Sequence, residues 1–188
     1  MKKLLLVTAA IIAMASTTAF AGTPSIEVGA SYLSEPDSSG MGSGTGYKIA
    51  LGSDLESLNA IPGSMFQSRF EFGYNKWSAT QSGQDIKYER IPFEFGLRLN
   101  VPVGATGLRA FGGLGVEVSR DSVTTPITLY GSSATTTITS TNTHYGFTPS
   151  VGLEYSITPS IFVGADVKYH TVVDPYMTSS AVIGYKFH

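Results

Sequence analysis

The chain of 188 residues contains no cysteine and only one tryptophan, Trp77. Without cysteine there is no disulfide framework, no thiolate metal site and no lipid-modified cysteine behind a leader. Charge is scarce as well. Asp, Glu, Lys and Arg make up 14% of the residues, and the formal net charge is −2. No basic stripe runs along the chain, so nucleic acid is not an expected partner. Beyond the N-terminus, nothing approaches the ~20 apolar residues of a membrane-spanning helix. The three histidines, His144, His170 and His188, lack metal-ligand spacing. What is plentiful is glycine, serine, threonine and tyrosine, a composition that favours strands.

The first residues read as an export leader. Lys2 and Lys3 precede an apolar run, Leu4 to Ala13, broken only by Thr8, and Ala19-Phe20-Ala21 supplies a small-x-small cleavage site. Cleavage is expected between Ala21 and Gly22. This leaves a leader at 1–21 and one domain at 22–188, whose net charge without Lys2 and Lys3 is −4.

Eight segments then alternate apolar and polar residues with the two-residue period of a strand. They are Ile26–Leu33, Gly46–Ser53, Met65–Trp77, Ile86–Asn100, Leu108–Ser119, His144–Ile157, Ile161–His170 and Ser179–His188. In the third, Phe66, Phe70, Phe72 and Tyr74 share one face, while Gln67, Arg69, Glu71 and Gly73 share the other. In the last, Ala181, Ile183, Tyr185 and Phe187 oppose Val182, Gly184 and Lys186. The later connections alternate in length: Ser78–Asp85 medium, Val101–Gly107 short, Arg120–Thr143 long, Thr158–Ser160 very short. Long outer loops alternating with short periplasmic turns are a mark of bacterial outer-membrane barrels. Asp54–Ser64, with Pro62-Gly63 and room for a helical half-turn, is long for a periplasmic turn.

Nearly all the strand charges fall on one face. They are Glu27, Lys48, Arg69, Glu71, Arg90, Glu94, Arg98, Arg109, Glu117, Glu154, Asp166, Lys168 and Lys186. Acids and bases almost balance there, and the opposite face is nearly free of charge. A soluble sandwich would turn such charges to water, whereas a soluble lipocalin-like barrel would share the inward stripe. Tyrosines near strand ends on the apolar face favour a membrane interface. The expected fold is all-β: an eight-stranded antiparallel up-and-down transmembrane barrel with both termini in the periplasm.

The stretches Ile91-Pro92-Phe93-Glu94-Phe95-Gly96-Leu97-Arg98, Phe111-Gly112-Gly113-Leu114-Gly115-Val116 and Gly184-Tyr185-Lys186-Phe187 resemble the small eight-stranded outer-membrane barrels, the OmpA, OmpX and opacity-protein superfamily. The resemblance implies an outer-membrane location among lipid and lipopolysaccharide. It also implies insertion by the barrel-assembly machinery, with Tyr185 and Phe187 as the assembly signal. His188 departs from the pattern, in which the aromatic residue is usually last.

An eight-stranded barrel is just wide enough for side chains to fill. The inward charges therefore read as a pairing network, with Glu27 as the expected partner of Lys186, and any pore as one of low conductance. No cofactor, metal site or catalytic residue is expected. A lipid A-modifying enzyme is the alternative from another class. It would use His144 or His170, with Asp166 as orienting acid and Ser119 or Thr148 as nucleophile. His170 is followed by Thr171-Val172, so the His-x-Ser motif of lipid A deacylases is missing. Gly42-Ser43-Gly44-Thr45-Gly46 has no following Lys-Ser/Thr and is not a phosphate loop. Trp77 reads as an interface or loop-base anchor.

Function is expected in the outer loops. Thr135, Thr137, Thr139, Thr141 and Thr143 continue the parity of the sixth strand, and Thr124, Thr128 and Tyr130 that of the fifth. Arg120–Thr143 is therefore expected to form a projecting β-hairpin that turns near Gly131-Ser132-Ser133. Its free edge would be open to an extracellular protein partner. The competing reading is an unstructured polar loop. The functional expectation is a monomeric, non-enzymatic surface protein, presenting loops for adhesion, as an antigen or for envelope integrity.

Overall fold

The computed structural model describes residues 23–36, 41–55, 65–81, 84–104, 107–128 and 135–188. The expected leader and its Ala21–Gly22 junction lie outside these residues, as do positions 56–64 and the expected hairpin tip at 131–133.

The strands are β1 (Pro24–Leu33), β2 (Gly44–Leu55), β3 (Met65–Gln81), β4 (Gln84–Pro102), β5 (Leu108–Thr128), β6 (Thr135–Ser156), β7 (Ile161–His170) and β8 (Tyr176–Lys186). Each pairs antiparallel with its sequence neighbours. β8 returns to β1 with Ile26 opposite Tyr185 and Leu33 opposite Thr178, closing an eight-stranded barrel. Closure satisfies the backbone groups that an open sheet would leave unpaired at its edges.

The two-residue period sorts the side chains. Along β2 and β8, buried and exposed positions alternate over most of the strand. Apolar side chains such as Val28, Phe95, Leu114, Phe147, Val151 and Ile183 stand exposed on the outside. An apolar belt of this extent would be an aggregation surface in water, and it is the normal lipid-facing surface of a membrane barrel. Tyr32, Tyr47 and Tyr145 are exposed toward one rim, and Tyr155, Tyr185 and Phe187 toward the other. This is where amphipathic rings meet membrane interfaces. Among the described residues no helix is long and apolar enough to cross a membrane.

At the rim bearing the termini two described connections, β4–β5 and β6–β7, are tight. The Val103 N–H donates to the Leu108 carbonyl at 2.8 Å, with Gly104 and Gly107 in the left-handed region. The Ile157 and Thr158 N–H groups converge on the Ile161 carbonyl at 2.9 and 3.1 Å. The opposite rim is uneven. β3 and β4 pair on through the expected loop Ser78–Asp85, from Ser78 opposite Lys87 to Gln81 opposite Gln84. β5 and β6 pair through Arg120–Thr143, as far as Thr128 opposite Thr135. β8 begins at Tyr176, three residues before the expected segment Ser179–His188. The polar composition of these stretches reports that they face water. It does not end the ladder, because a neighbouring strand still satisfies the backbone. β7 stops at His170, so the β3–β6 side stands well above the β7–β8 side.

Candidate functional site

The inward face carries almost every charge singled out in the sequence. Glu27, Lys48, Arg69, Glu71, Arg90, Glu94, Arg98, Glu117, Glu154, Asp166, Lys168 and Lys186 are buried, whereas Arg109 is only partly buried. Ten of them form one continuous network. Lys186 Nζ donates to Glu154 Oε1 at 2.7 Å, and Arg98 Nη2 donates to Glu154 Oε2 at 2.7 Å. Arg98 also lies 3.7 Å from Glu27, which pairs with Arg69, and Arg69 Nη2 lies 3.1 Å from Glu71. From Glu71 the network branches to Lys168 at 2.9 Å, itself 2.7 Å from Glu94, and to Lys48 at 3.9 Å, itself 2.5 Å from Asp166. Five carboxylates meet five cations, so the desolvated charges compensate one another. The expected Lys186–Glu27 pair does not form. β1 and β8 are neighbours, but Lys186 reaches across the lumen to β6 while Glu27 is held by Arg69 and Arg98.

Two aromatic rings occupy the end near the termini. Phe111 lies against Gly152 and Phe162 against Gly184, where a Cβ at either glycine would collide with the ring. Arg98 stands 4.2 Å over Phe111, and Lys186 stands 4.9 Å over Phe162. Here glycine makes room for an interior ring.

Toward the other end the lumen becomes more aromatic. Arg90 grips Asp121 with Nε and Nη2 at 2.7 and 2.8 Å, and Tyr88 OH donates to the same carboxylate. Above this lies a cap of Leu33, Trp77, Tyr88, Val172 and Tyr176, all buried. Trp77 meets Tyr88 and Tyr176 edge-on at 5.4 and 5.1 Å and donates Nε1–H to the Ser34 carbonyl at 2.9 Å. It faces the lumen and anchors the loop base after β1, and does not lie in the interface. Asp121, assigned from sequence to a loop, is an inward residue of β5. A void beside Arg69, Glu94, Asp166 and Lys168 measures about 10 Å³, roughly the space of one water molecule.

Two of the three histidines, His170 and His144, belong to this packing. His170 Nδ1 lies 2.5 Å from Glu117 Oε2 and Nε2 lies 3.2 Å from Thr178 Oγ1, with the ring stacked on Tyr176. Glu117, not Asp166, is thus its acid. His144 lies 3.4 Å from Asp121. Ser119 and Thr148 are fully buried, and neither hydroxyl hydrogen-bonds to a histidine among the described residues.

Outside the lumen the second feature is the β5–β6 hairpin. Residues 136–143 are all exposed, and hydroxyl side chains meet across the ladder: Thr124 and Thr139 at 3.3 Å, Ser122 and Thr141 at 3.5 Å. Pairing of β6 with β7 begins only at Ser150 opposite Lys168. Higher up, the outer edge of β6 has no strand beside it among the described residues.

A closed barrel with an apolar exterior and a compensated, filled interior defines a membrane-embedded β-barrel protein. The chain belongs to the outer membrane protein beta-barrel domain family, which it matches over residues 4–187. It is thus a small bacterial outer-membrane barrel. Its fold is similar to Neisserial surface protein A (NspA), with 20% identity over 87% of this chain and 97% of that one, at a TM-score of 0.58. It is also similar to Ail, the attachment invasion locus protein of Yersinia pestis, with 15% identity over 88% and 97% and a TM-score of 0.55. OprG from Pseudomonas aeruginosa matches at 13% identity over 90% and 98%, with a TM-score of 0.51. No curated protein sequence matches.

Proposed function

We propose that this chain is a non-enzymatic surface protein, exported by its leader, whose barrel anchors the β5–β6 hairpin outside the outer membrane. The observation that carries the reading is the pairing of Arg120–Thr128 with Thr135–Thr143, beyond the ~9–11 residues a strand needs to cross a membrane. The two short turns described at the end with the termini, β4–β5 and β6–β7, support a periplasmic side for both termini. The interior supports an anchor over a pore. Its charges are paired, its upper end is capped by aromatic side chains, and Arg and Lys side chains fill the space that ions would need.

The hairpin suits contact with an extracellular protein. From Thr135 to His144 the exposed edge of β6 contains no charge, proline or glycine, the usual protections of an open edge. An extended segment of a partner could add there as a further strand. Two proteins that share the fold are named for a surface location and for attachment, which accords with this reading. Tyr185 and Phe187, exposed and edge-to-face at 5.0 Å, are the proposed recognition signal for the assembly machinery. The test is deletion of residues 122–141 in cells, followed by a binding assay on host cells and matrix proteins. Loss of binding with the barrel still folded supports the reading, and unchanged binding contradicts it.

A further inference from the structure

The cations outside the leader divide sharply. Lys48, Arg69, Arg90, Arg98, Arg109, Lys168 and Lys186 occupy inward positions. The remaining three, Lys76, Lys87 and Arg120, are exposed on the outer surface, and all lie on adjacent strands toward the same rim. The register brings them together. Lys76 on β3 is directly opposite Glu89 on β4, Lys87 is two residues from Glu89 on the same face, and Arg120 on β5 is opposite Ile91, diagonal to Glu89. Direct and diagonal neighbours on a sheet face are about 5 to 8 Å apart. Glu89 accepts a hydrogen bond from Tyr74 OH at 2.8 Å. None of the three cations forms an ion pair with a described residue. Asp85 lies on the same face of β4, two residues beyond Lys87.

Below the cations, toward the termini, the surface turns apolar at once. Phe72 meets Phe93 edge-on at 5.1 Å, Val118 lies opposite Phe93, and Phe95 and Val116 follow. Cations over an apolar shelf match an amphiphile whose phosphates sit at the membrane surface and whose acyl chains lie beneath.

We propose that Lys76, Lys87 and Arg120 form a binding site for the phosphates of lipopolysaccharide lipid A, with the Phe72–Phe93–Phe95 surface receiving its acyl chains. The proposal rests on the outward orientation argued above. Three cations on three strands suit a ligand with two phosphates on one rigid headgroup better than a single phosphodiester.

The experiment is native mass spectrometry of the refolded full-length barrel titrated with bisphosphorylated lipid A, dephosphorylated lipid A or phosphatidylglycerol. Wild-type protein should prefer bisphosphorylated lipid A. The K76Q/K87Q/R120Q variant should bind it at least about tenfold more weakly and treat the dephosphorylated form as wild type does. Heat-modifiable gel migration checks the fold, and K76Q/K87Q replaces the triple variant should that one fail to fold. Undiminished binding by the variant, or equal wild-type binding of phosphatidylglycerol, overturns the site. A cysteine placed at Thr139 separates this proposal from the reading beneath it. External labelling with unchanged lipid A binding removes the site alone, and absence of external labelling removes both.

Discussion

Arg98 on β4 reaches past β5 to Glu154 on β6, its Nη2 2.7 Å from Oε2, while its guanidinium covers the Phe111 ring at 4.2 Å. Glu154 also accepts from Lys186 at 2.7 Å. One carboxylate thus ties β4, β6 and β8 together across the lumen. Replacing Glu154 by leucine leaves two buried cations without that partner. A loss of about 3–5 kcal/mol is expected in urea titrations of the refolded barrel, with a smaller loss for Glu154→Gln. A change below ~1 kcal/mol would show that the network is solvated.

The interior filling predicts electrical silence. Planar-bilayer recordings should show at most small, irregular openings. Large and steady channels would contradict a lumen plugged by paired charges and closed by the Trp77 cap.

Trp77 is the only tryptophan, so its fluorescence reports on the cap directly. In the folded barrel its emission should be blue-shifted and resist acrylamide. Trp77→Ala should cost about 3–5 kcal/mol, because it opens a cavity and removes the hydrogen bond to Ser34. Quenching as efficient as in the unfolded chain would place Trp77 outside the lumen.

The hairpin makes a prediction about backbone exchange. Amides on β5 and β6 that pair across Ser122–Thr128 and Thr135–Thr141 should be protected in exchange experiments. Exchange at random-coil rates across Thr135–Thr141 would mean that the ladder does not persist above the membrane.

Much of this was legible because the strand period is two. Once Arg69, Glu94 and Lys168 lie on one face, the lumen and its charges follow, with Arg109 at the rim the one residue only partly buried. Parity also carried a signal that composition hid: Trp77 has the parity of Gln67 and Arg69 and so points inward. Asp121 shares the face of Glu117 and Ser119, but it sits in a polar stretch that reads as a loop. Pairing across the lumen was not legible. Whether Lys186 meets Glu27 or Glu154 depends on strand stagger and side-chain reach, and neither is written in the alternation. Polar composition likewise does not mark where a strand stops. Ser78–Gln81 and Ser122–Thr128 stay in the ladder because a partner strand is beside them.

The absence of native cysteine makes the most direct test clean, since one introduced thiol is the only site of reaction. Thr139→Cys in the hairpin and Val103→Cys in the short β4–β5 turn are each treated, in intact cells, with a membrane-impermeant maleimide. Position 139 should label at once and position 103 only after the outer membrane is opened. Labelling of position 103 in intact cells, with position 139 protected, would contradict a barrel that presents its hairpin to the outside.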